Sequence, residues 1–405
     1  MDKPKVIIIG GGAAGFFSAL QLAEARPDVD IVILERGKNV LEKVRISGGG
    51  RCNVTHACFE PMPLSKNYPR GERELIGPFN QFNPTDTIAW FKDRGVELKT
   101  EADGRMFPVT DRSETIINCF LQEAKKHKIR IETSCSVQQL TPTENGWTLE
   151  TTQGQYLANK VIIATGSNPK MWTMLEQLGH RIVAPVPSLF TFNCNDAAVH
   201  ALMGVAVLAE TRVRACKLTA TGPVLFTHWG LSGPGILRLS AWGARWMHDQ
   251  QYQFELELNW LPNESPENVK MQLQQQKSTN GKKELQSSNP FGFPQRFWHW
   301  ILTRSGVDQS LRWADCPQKM LDKMAQELNA MVLPITGKST YKDEFVTAGG
   351  VELKEIQWKS MESKIQPQLY FAGEVLNVDA ITGGFNFQHA WTGAFMVAQH
   401  LSHVI

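Results

Sequence analysis

A strand–turn–helix–strand unit at the start of the chain constrains its fold more than any other feature. Four β-favouring residues, Val6 to Ile9, precede Gly10, Gly12 and Gly15, which follow the G-x-G-x-x-G pattern and lead into an apolar, helix-compatible stretch. A second apolar strand, Ile31–Leu34, ends in Glu35. Glycines at this spacing permit a tight turn, close approach of a pyrophosphate and close helix–strand packing, while the terminal acid can bind ribose hydroxyls. The unit predicts a dinucleotide-binding domain with the phosphates at the helix N-terminus.

Three later segments favour FAD over NAD as the dinucleotide. Val161–Gly166 (VIIATG) and Leu369–Glu374 (LYFAGE) each read as a buried strand that ends in a small-residue turn. Gly383 and Gly384 precede a helix-compatible run that reaches Leu401. A cofactor held by both ends of the chain is typical of flavoproteins with two dinucleotide-binding domains, so the predicted fold class is a Rossmann-like α/β flavoprotein.

Motifs spread over nearly the whole chain make the resemblance to one family specific. They are Ser47–Thr55 (SGGGRCNVT), Thr227–Leu239 (THWGLSGPGILRL), Ala348–Val351 (AGGV), Met361–Lys364 (MESK) and the final GGFNFQHAWTG. In this order they are similar to the motifs of the HI0933-like flavoproteins, also called the BaiN/RdsA family. The resemblance implies an FAD-dependent oxidoreductase that uses NAD(P)H, as a transient reductant, to reduce a small organic substrate. Relatives are associated with unsaturated, steroid-like bile-acid intermediates, and an amine-oxidase role has also been attached to the family.

Breaks in the hydrophobic pattern predict a nested domain organisation. The Pro-containing segment Ala184–Ser188 reads as a domain exit. We expect an FAD-binding domain at 1–188 and 345–405, a β-barrel-like insert at 189–262 and 332–344, and a small helical subdomain at 263–331. Three consecutive domains are the alternative. In the first domain, Asp111 and Glu114 could form a capping box for a helix that starts near Ser113.

Composition and charge limit the partners. The net charge of +2 argues against a large electrostatic footprint for nucleic acid, so no nucleic-acid partner is expected. No apolar run approaches the roughly 20 residues that span a bilayer, and the N-terminus lacks the apolar region of a signal peptide. We therefore expect a cytoplasmic protein without a membrane contact. The seven cysteines are scattered singly, which predicts free thiols and no metal site, and nothing in the sequence fixes an oligomeric state.

The predicted cofactor contacts come from several separate segments. The stretch from Arg36 to about Gln81 shows little periodicity and is expected to be a functional loop. Within it, backbone N–H groups of a glycine run, the Arg51 guanidinium and the Asn53 amide are suited to phosphate or to the polar edge of a flavin. The N-terminus of the last helix is expected to stabilise negative charge on the reduced flavin. The residues predicted to contact FAD are Gly10, Gly12, Ala13, Ala14, Gly15, Glu35, Arg36, Lys43, Ser47, Gly49, Gly50, Arg51, Cys52, Asn53, Val137, Ala164, Thr165, Gly166, Gly373, Glu374, Asp379, Gly383, Gly384, Phe385 and Asn386.

The sequence identifies no catalytic acid or base with the same force. The candidates for proton transfer or another catalytic role are His228, His389, Cys52, His56 and Tyr341. Five residues separate Cys52 from Cys58, whereas disulfide-reducing flavoenzymes have four, so Cys52 is expected to pack beside the cofactor rather than to relay electrons. We expect the substrate between the insert and the flavin face, near His228 and Trp229. An RNA-modifying flavoprotein and a non-enzymatic flavin redox sensor remain as alternative functions.

Overall fold

A computed structural model describes residues 3–339 and 346–405. It divides the chain into two compact units, of which unit 1 spans 1–186 and 343–405 and unit 2 spans 187–342. The predicted candidate Tyr341 and the predicted unit boundary at 344–345 lie outside the described residues.

Strands make up much of both units. They are β1 (Lys5–Ile9), β2 (Asp30–Leu34), β3 (Thr55–His56), β4 (Leu98–Thr100), β5 (Arg105–Pro108), β6 (Arg130–Glu132), β7 (Val137–Thr143), β8 (Gly146–Thr151), β9 (Gly154–Ala158), β10 (Lys160–Ile163), β11 (Ile182–Ser188), β12 (Phe192–Asn193), β13 (Ala206–Val213), β14 (Thr219–Thr227), β15 (Gly230–Ser232), β16 (Phe254–Asn259), β17 (Met331–Ile335), β18 (Gly337–Lys338), β19 (Val346–Val351), β20 (Ile356–Gln357), β21 (Glu362–Ser363) and β22 (Leu369–Phe371).

Helices connect and cover these strands. They are α1 (Ala13–Ala25), α2 (Glu42–Gly50), α3 (Pro61–Ser65), α4 (Ile76–Gln81), α5 (Pro84–Lys92), α6 (Ser113–Lys126), α7 (Pro169–Gln177), α8 (Ala197–His200), α9 (Pro234–Asp249), α10 (Pro266–Thr279), α11 (Gln295–Arg304), α12 (Gln318–Ala330) and α13 (Phe385–Val404).

The main sheet of unit 1 has the arrangement that the opening fingerprint predicts. Its strand order is β20-β21-β22-β10-β1-β2-β6, and the five strands from β22 to β6 are parallel. Strands β1, β2, β10 and β22 are almost entirely buried because helices cover the sheet, which explains the continuous apolar runs in the sequence, whereas the edge strand β6 is more exposed. The carboxyl ends of β1, β2, β10 and β22 therefore meet at one edge, where α/β folds bind their ligands.

The last helix brings the C-terminus back against the first helix. α13 packs on α1, and an added Cβ at Gly373, just after β22, would lie 3.1 Å from the Ala14 Cβ. The prediction that LYFAGE joins the first sheet is thus confirmed, with Leu369 to Phe371 in register with Val161 to Ile163.

Unit 2 is built on a second seven-stranded sheet. Its order is β17-β16-β13-β14-β15-β12-β18, and its pairs are antiparallel. In the described part of the chain this pairing is linear, so barrel-like closure stays a prediction. Strand β13 runs without interruption from Ala206 to Val213. Trp260, Trp298, Trp300 and Trp313 are buried in this unit, whereas Trp242 is exposed.

Two local predictions in unit 1 are wrong. The stretch 36–81 is not an unstructured loop, because it contains α2, α3, α4 and β3. Arg112, not Asp111, is the N-cap residue of α6, and no side chain caps that helix. Both acids of the expected capping box form ion pairs instead: Asp111 pairs with Lys99, and Glu114 lies 3.3 Å from Arg45 Nη1.

Candidate functional site

The G-x-G-x-x-G segment forms an open cradle at the carboxyl edge of the unit 1 sheet. Gly15 is required for close packing, since an added Cβ would collide with the carbonyl oxygen of Gly10. Gly12 is the N-cap of α1, and a Cβ there would meet no atom within 4 Å. The first N–H groups of a helix lack intrahelical partners. The cradle therefore offers free donors and empty space to a phosphate.

The Glu35 carboxylate is fixed beside this cradle. Its two oxygens accept hydrogen bonds from Gly11 N at 2.8 Å and Gly37 N at 2.6 Å. A cavity at this place is lined by five of the predicted cofactor residues, namely Gly10, Glu35, Arg36, Val137 and Thr165. The structure thus brings together residues that are up to 155 positions apart in the sequence, at the position where the fingerprint predicts the adenosine.

A charged pair lies close to the same edge. Lys43 Nζ, on α2, is 2.5 Å from the Glu374 Oε2 that follows β22. The Lys43 side chain is exposed, and an added Cβ at Gly166 would lie 3.6 Å from that Glu374 oxygen. Lys43, Gly166 and Glu374, all predicted cofactor contacts, are therefore neighbours.

The Ser47–Cys52 segment makes a sharp turn at its glycine run. Gly48, Gly49 and Gly50 have φ of 56°, 68° and 83°, and Cys52 has a φ of 60°. Cβ atoms added at Gly49 and Gly50 would meet nothing within 4 Å, so their backbone is accessible. Successive backbone N–H groups in such turns form anion-binding concavities. This agrees with the role predicted for Gly49 and Gly50.

Cys52 is buried and chemically inert in this turn. Burial raises the pKa of its thiol to about 12, although a hydrogen bond with Ser47 opposes the shift. Cys58 is a free, half-buried thiol whose pKa is also raised by burial. Reactive cysteines need lowered pKa values. The expectation that Cys52 is a packing residue fits this environment better than its candidacy as a catalytic group.

Arg51 is directed toward protein acids. Its Nη1 lies 2.6 Å from Glu101 Oε1 and 3.5 Å from Asp111 Oδ1, and its guanidinium stacks 3.9 Å from the centre of the Phe107 ring. Both contacts use Nη1, so the predicted contact between Arg51 and phosphate or reduced flavin would share the guanidinium with these acids.

Asn53 joins this turn to the start of α13. With its amide oriented to match its neighbours, Asn53 accepts from Gly384 N at 2.9 Å and donates to the carbonyls of Met106 and Thr55. A Cβ at Gly384, which has a φ of 93°, would lie 2.5 Å from the Thr55 carbonyl oxygen, so only glycine fits. The amide of Asn53 is thus used for backbone contacts, and its contact with a flavin stays a prediction.

The loop before α13 is held by side chains that the sequence analysis missed. Arg70 pairs with the buried Asp379 carboxylate, and the Tyr68 hydroxyl donates to the Phe385 carbonyl at 2.6 Å. Asn386 accepts from Ala380 N at 3.0 Å. Asp379 and Asn386, predicted to contact FAD, thus position the loop through these contacts. A lone arginine and a lone tyrosine in an irregular stretch give no sequence signal of distant partners.

Two of the predicted histidines are far from equivalent. His389 is fully buried, and burial lowers its pKa to about 4, against smaller opposing effects of the Gly373 backbone and of Glu374. Its ring nitrogens have no hydrogen-bond partner of good geometry. A neutral, enclosed imidazole is a poor proton donor at neutral pH, so this environment disfavours His389 in that role, which stays a prediction. His56 stacks on Phe385, with ring centres 4.5 Å apart, and its Nε2 lies 3.1 Å from the Asp103 carbonyl.

His228 belongs to unit 2, in the turn between β14 and β15. Its exposed ring packs edge-on against Trp229, whose Nε1 donates to Thr191 Oγ1 at 3.2 Å. A Cβ at Gly230 would collide with the Phe192 carbonyl oxygen, so the turn that carries His228 is tightly defined. A role for His228 in substrate binding stays a prediction.

A hydrogen-bonded Ser–His–Glu chain lies in unit 1. Ser363 Oγ is 3.0 Å from His180 Nε2, and His180 Nδ1 is 2.8 Å from Glu355 Oε2. All three are buried or half-buried, and Ser363 Oγ already accepts from the backbone N–H groups of Ile365 and Gln366. Ser363 and His180 are buried, so this chain presents no exposed hydroxyl to a substrate. The chain anchors the MESK motif.

One group of side chains has the composition of a metal site. Ligand atoms of Glu24, Glu123 and His127 lie within 4.8 Å of one another. However, the Arg94 guanidinium pairs with both carboxylates. Its positive charge occupies the place of a cation, so we interpret the group as an ion-pair cluster.

Among the described residues, no helix combines the length and apolar character needed to cross a membrane.

The described residues fit FAD best at the adenosine and phosphate end. The open space at Gly12, the free N-terminus of α1 and the oriented Glu35 carboxylate match a pyrophosphate and a ribose in chemical type and order along the sheet edge.

Comparison with known proteins agrees with this geometry. A family model described as HI0933-like protein Rossmann domain matches residues 4–400. A ribosomal RNA dihydrouridine synthase of Haemophilus influenzae is 29% identical, and the alignment covers 98% of each chain. The Escherichia coli enzyme of the same name is 28% identical over 99% of this chain and 98% of its own. A 3-dehydro-bile acid delta(4,6)-reductase of Clostridium scindens is 24% identical, with 98% coverage of both chains.

Solved structures share the fold at low sequence identity. The 3-ketosteroid delta1-dehydrogenase of Sterolibacterium denitrificans, in complex with 1,4-androstadiene-3,17-dione, has a TM-score of 0.53 at 9% identity and 100% coverage of both chains. The 3-ketosteroid-delta4-(5alpha)-dehydrogenase of Rhodococcus jostii has a TM-score of 0.50 at 14% identity, covering 98% of this chain and 97% of its own.

Proposed function

This chain belongs to the HI0933-like family of FAD-dependent oxidoreductases, and we propose that it reduces a carbon–carbon double bond conjugated to a carbonyl group. Dihydrouridine is uridine whose C5=C6 bond, conjugated to the C4 carbonyl, has been saturated. The name delta(4,6)-reductase denotes the same kind of reaction on a different ring system. The proposed chemistry is therefore what differently named relatives have in common.

We propose uridine in ribosomal RNA as the substrate. The observation that carries this proposal is the full-length similarity to two ribosomal RNA dihydrouridine synthases, at 29% and 28% identity, compared with 24% for the bile-acid reductase. The expectation of no nucleic-acid partner rested on the net charge of the whole chain. The net charge of the whole chain says little about a local contact with RNA. The names of these relatives do not support the expectation that nucleic acid is no partner.

The reaction needs a hydride, a proton and an electron-poor alkene. FAD, once bound and reduced by NAD(P)H, would supply the hydride to C6 of the base, and a proton would then reach C5. The chain's own groups bind and orient. Glu35 and the N-terminus of α1 suit the ribose and the pyrophosphate, and the N-terminus of α13 offers free N–H groups and a positive dipole end.

A proton donor must be both protonated and accessible. Cys52 retains its proton but is enclosed, and His389 is enclosed and neutral. His56, which follows the glycine turn, is only half-buried and stacks on Phe385, the residue that opens α13. We therefore propose His56 as the donor in unit 1, and His56→Gln is expected to lower kcat while the protein keeps its FAD.

Incubation with RNA tests the proposal directly. Ribosomal RNA made by transcription carries no modified base, and the protein with NADH or NADPH should convert uridine in it to a nucleoside heavier by two hydrogens. Nucleoside mass spectrometry after digestion measures this product. The matched control is Gly12→Ala, which should fold but hold FAD weakly. Oxidation of NAD(P)H without any dihydrouridine in the RNA would contradict the substrate assignment.

The second candidate substrate is a steroid-like enone. It is favoured by the bile-acid reductase relative, which matches 98% of this chain. Offering an unsaturated 3-keto bile acid in the same assay separates the two, because a saturated steroid product with unmodified RNA would favour this candidate.

A further inference from the structure

A basic depression lies at the amino edge of the unit 1 sheet, opposite the edge that carries the candidate cofactor site. Its volume is about 760 Å³. Among the described residues that line it, the charged ones other than His127 are Lys3, Lys5, Arg26, Lys126, Lys128 and Asp30. Five cations thus face a single acid.

The acids nearby neutralise only part of this charge. Asp30 is shared by Lys5 at 3.8 Å and Arg130 at 2.9 Å, while Asp28 holds Arg26 at 2.7 Å. Glu123 lies 3.0 Å from Lys126 Nζ. Lys3 and Lys128 are exposed and have no acidic partner within 4 Å among the described residues. The depression therefore keeps a positive potential.

Fold stability explains some of these cations but not their convergence. Lys126 ends α6, where a cation favours the helix dipole, and Lys128 follows it. Lys3 and Lys5 come from the chain before and within β1, and Arg26 follows α1. Cations from the ends of α6, β1 and α1 thus meet at one surface. The stability of these elements does not require that meeting.

We propose that this basic depression binds the phosphate backbone of structured RNA, away from the base that is reduced. This inference rests on the proposed function. The five residues of β1 separate the two edges by about 16 Å at roughly 3.3 Å per residue. A folded RNA can span that distance, whereas a free nucleoside cannot.

The lining favours RNA phosphate over a membrane. Its apolar residues Val29, Ile31 and Ile129 are buried and cannot insert into a bilayer. Among the described residues that line the depression there is no tyrosine, tryptophan or phenylalanine on which a base could stack. Lysines without aromatic platforms bind the backbone and not a sequence.

The test compares two charge-matched double variants as holoenzymes. Lys3→Gln with Lys128→Asn removes the two unpaired cations, and asparagine suits the left-handed φ of 56° at position 128. Lys319→Gln with Lys323→Gln removes two exposed cations from α12 in unit 2 and is the control. Binding of transcribed ribosomal RNA is measured between low and moderate salt, together with KM for RNA and the flavin content.

The first variant should bind RNA roughly 3- to 30-fold more weakly, and the slope of log K against log salt should fall by about two. Its flavin content and its rate of reduction by NAD(P)H should equal those of the wild type, and the control should match the wild type throughout. If the wild type forms dihydrouridine while the first variant keeps the wild-type salt slope and KM, the docking surface is wrong and the proposed function stands. The docking surface is also wrong if the first variant loses binding to anionic lipid vesicles while its binding to RNA is unchanged. A wild type that forms no dihydrouridine in RNA refutes the proposed function, and this inference falls with it.

Discussion

The two ends of the candidate FAD site differ in how they are built. At the end that the fingerprint assigns to adenosine, backbone glycines and one carboxylate form the site, and Gly10, Glu35, Arg36, Val137 and Thr165 line one cavity. At the end expected to face the flavin ring, side chains predicted to contact the cofactor are instead bound to protein. Arg51 pairs with Glu101, Asn53 bonds Gly384, and Asp379 pairs with Arg70.

The difference reflects the distance between partners along the chain. Glu35 reaches Gly11, which is 24 residues away, through a strand, a turn and a helix of standard geometry. Asn53 reaches Gly384, about 330 residues away, and that contact depends on how α13 returns to the sheet. A local supersecondary unit thus fixes the first end, whereas tertiary packing fixes the second.

The largest effect is expected at the adenosine end, from Gly12→Ala. The new Cβ meets no protein atom, so the apoprotein should be as stable as the wild type. It would occupy the space expected for the pyrophosphate. A misfit of about 1–3 kcal/mol would weaken FAD binding roughly 5- to 150-fold, as measured by flavin fluorescence titration.

Gly15→Ala is the matched comparison for this prediction. Its Cβ would collide with the Gly10 carbonyl, so this variant should lose soluble, folded protein. Unchanged FAD affinity in folded Gly12→Ala would break the assignment of the cradle.

At the other end, Asn53→Ala should act on stability first. Asn53 is buried, and removing its amide leaves the Gly384 N–H and the carbonyls of the buried Met106 and Thr55 without this partner, which costs about 1–3 kcal/mol. Urea unfolding of the apoprotein measures the change. A wild-type midpoint combined with altered flavin absorbance would contradict this account and restore a direct contact between Asn53 and the flavin.

The buried His389 predicts a specific dependence of stability on pH. Its folded-state pKa of about 4 lies below the ordinary value near 6.5, so the unfolded chain binds more protons between these pH values. Its stabilising contribution is therefore complete above about pH 6.5 and is lost as pH falls toward 4, reaching a loss of about 2 kcal/mol by pH 5. His389→Leu should remove this part of the acid sensitivity, and thermal melts at pH 7.5 and pH 5 should show it. Parallel losses in both proteins would refute the prediction.

The smallest effect is expected for Cys58→Ser. The raised thiol pKa values and the burial of Cys52 disfavour a thiol relay. The variant should keep wild-type flavin reduction and turnover in stopped-flow and steady-state assays. Lost turnover with intact FAD, together with a disulfide in the oxidised protein, would restore the relay.

The sequence predicts most of unit 1 because its signals are local and periodic. The order of the apolar strands, the glycine spacing and the terminal acid Glu35 define the parallel sheet and the cradle before any distant contact is known. Pairing across the chain is harder to predict. Nothing around Arg51 indicates Glu101, and nothing around Asp379 indicates Arg70, because an ion pair leaves no periodic pattern. Asp111 and Glu114 have the spacing of a capping box, but in the structure they form ion pairs with Lys99 and Arg45.

Cofactor content of the purified protein tests the central claim most directly. The geometry predicts one non-covalent FAD per chain, released by denaturation and identified by chromatography, with FMN bound far more weakly because it lacks the adenosine that Glu35 and the cradle hold. A colourless protein that stays without flavin after incubation with FAD, or one that prefers FMN, would contradict the account.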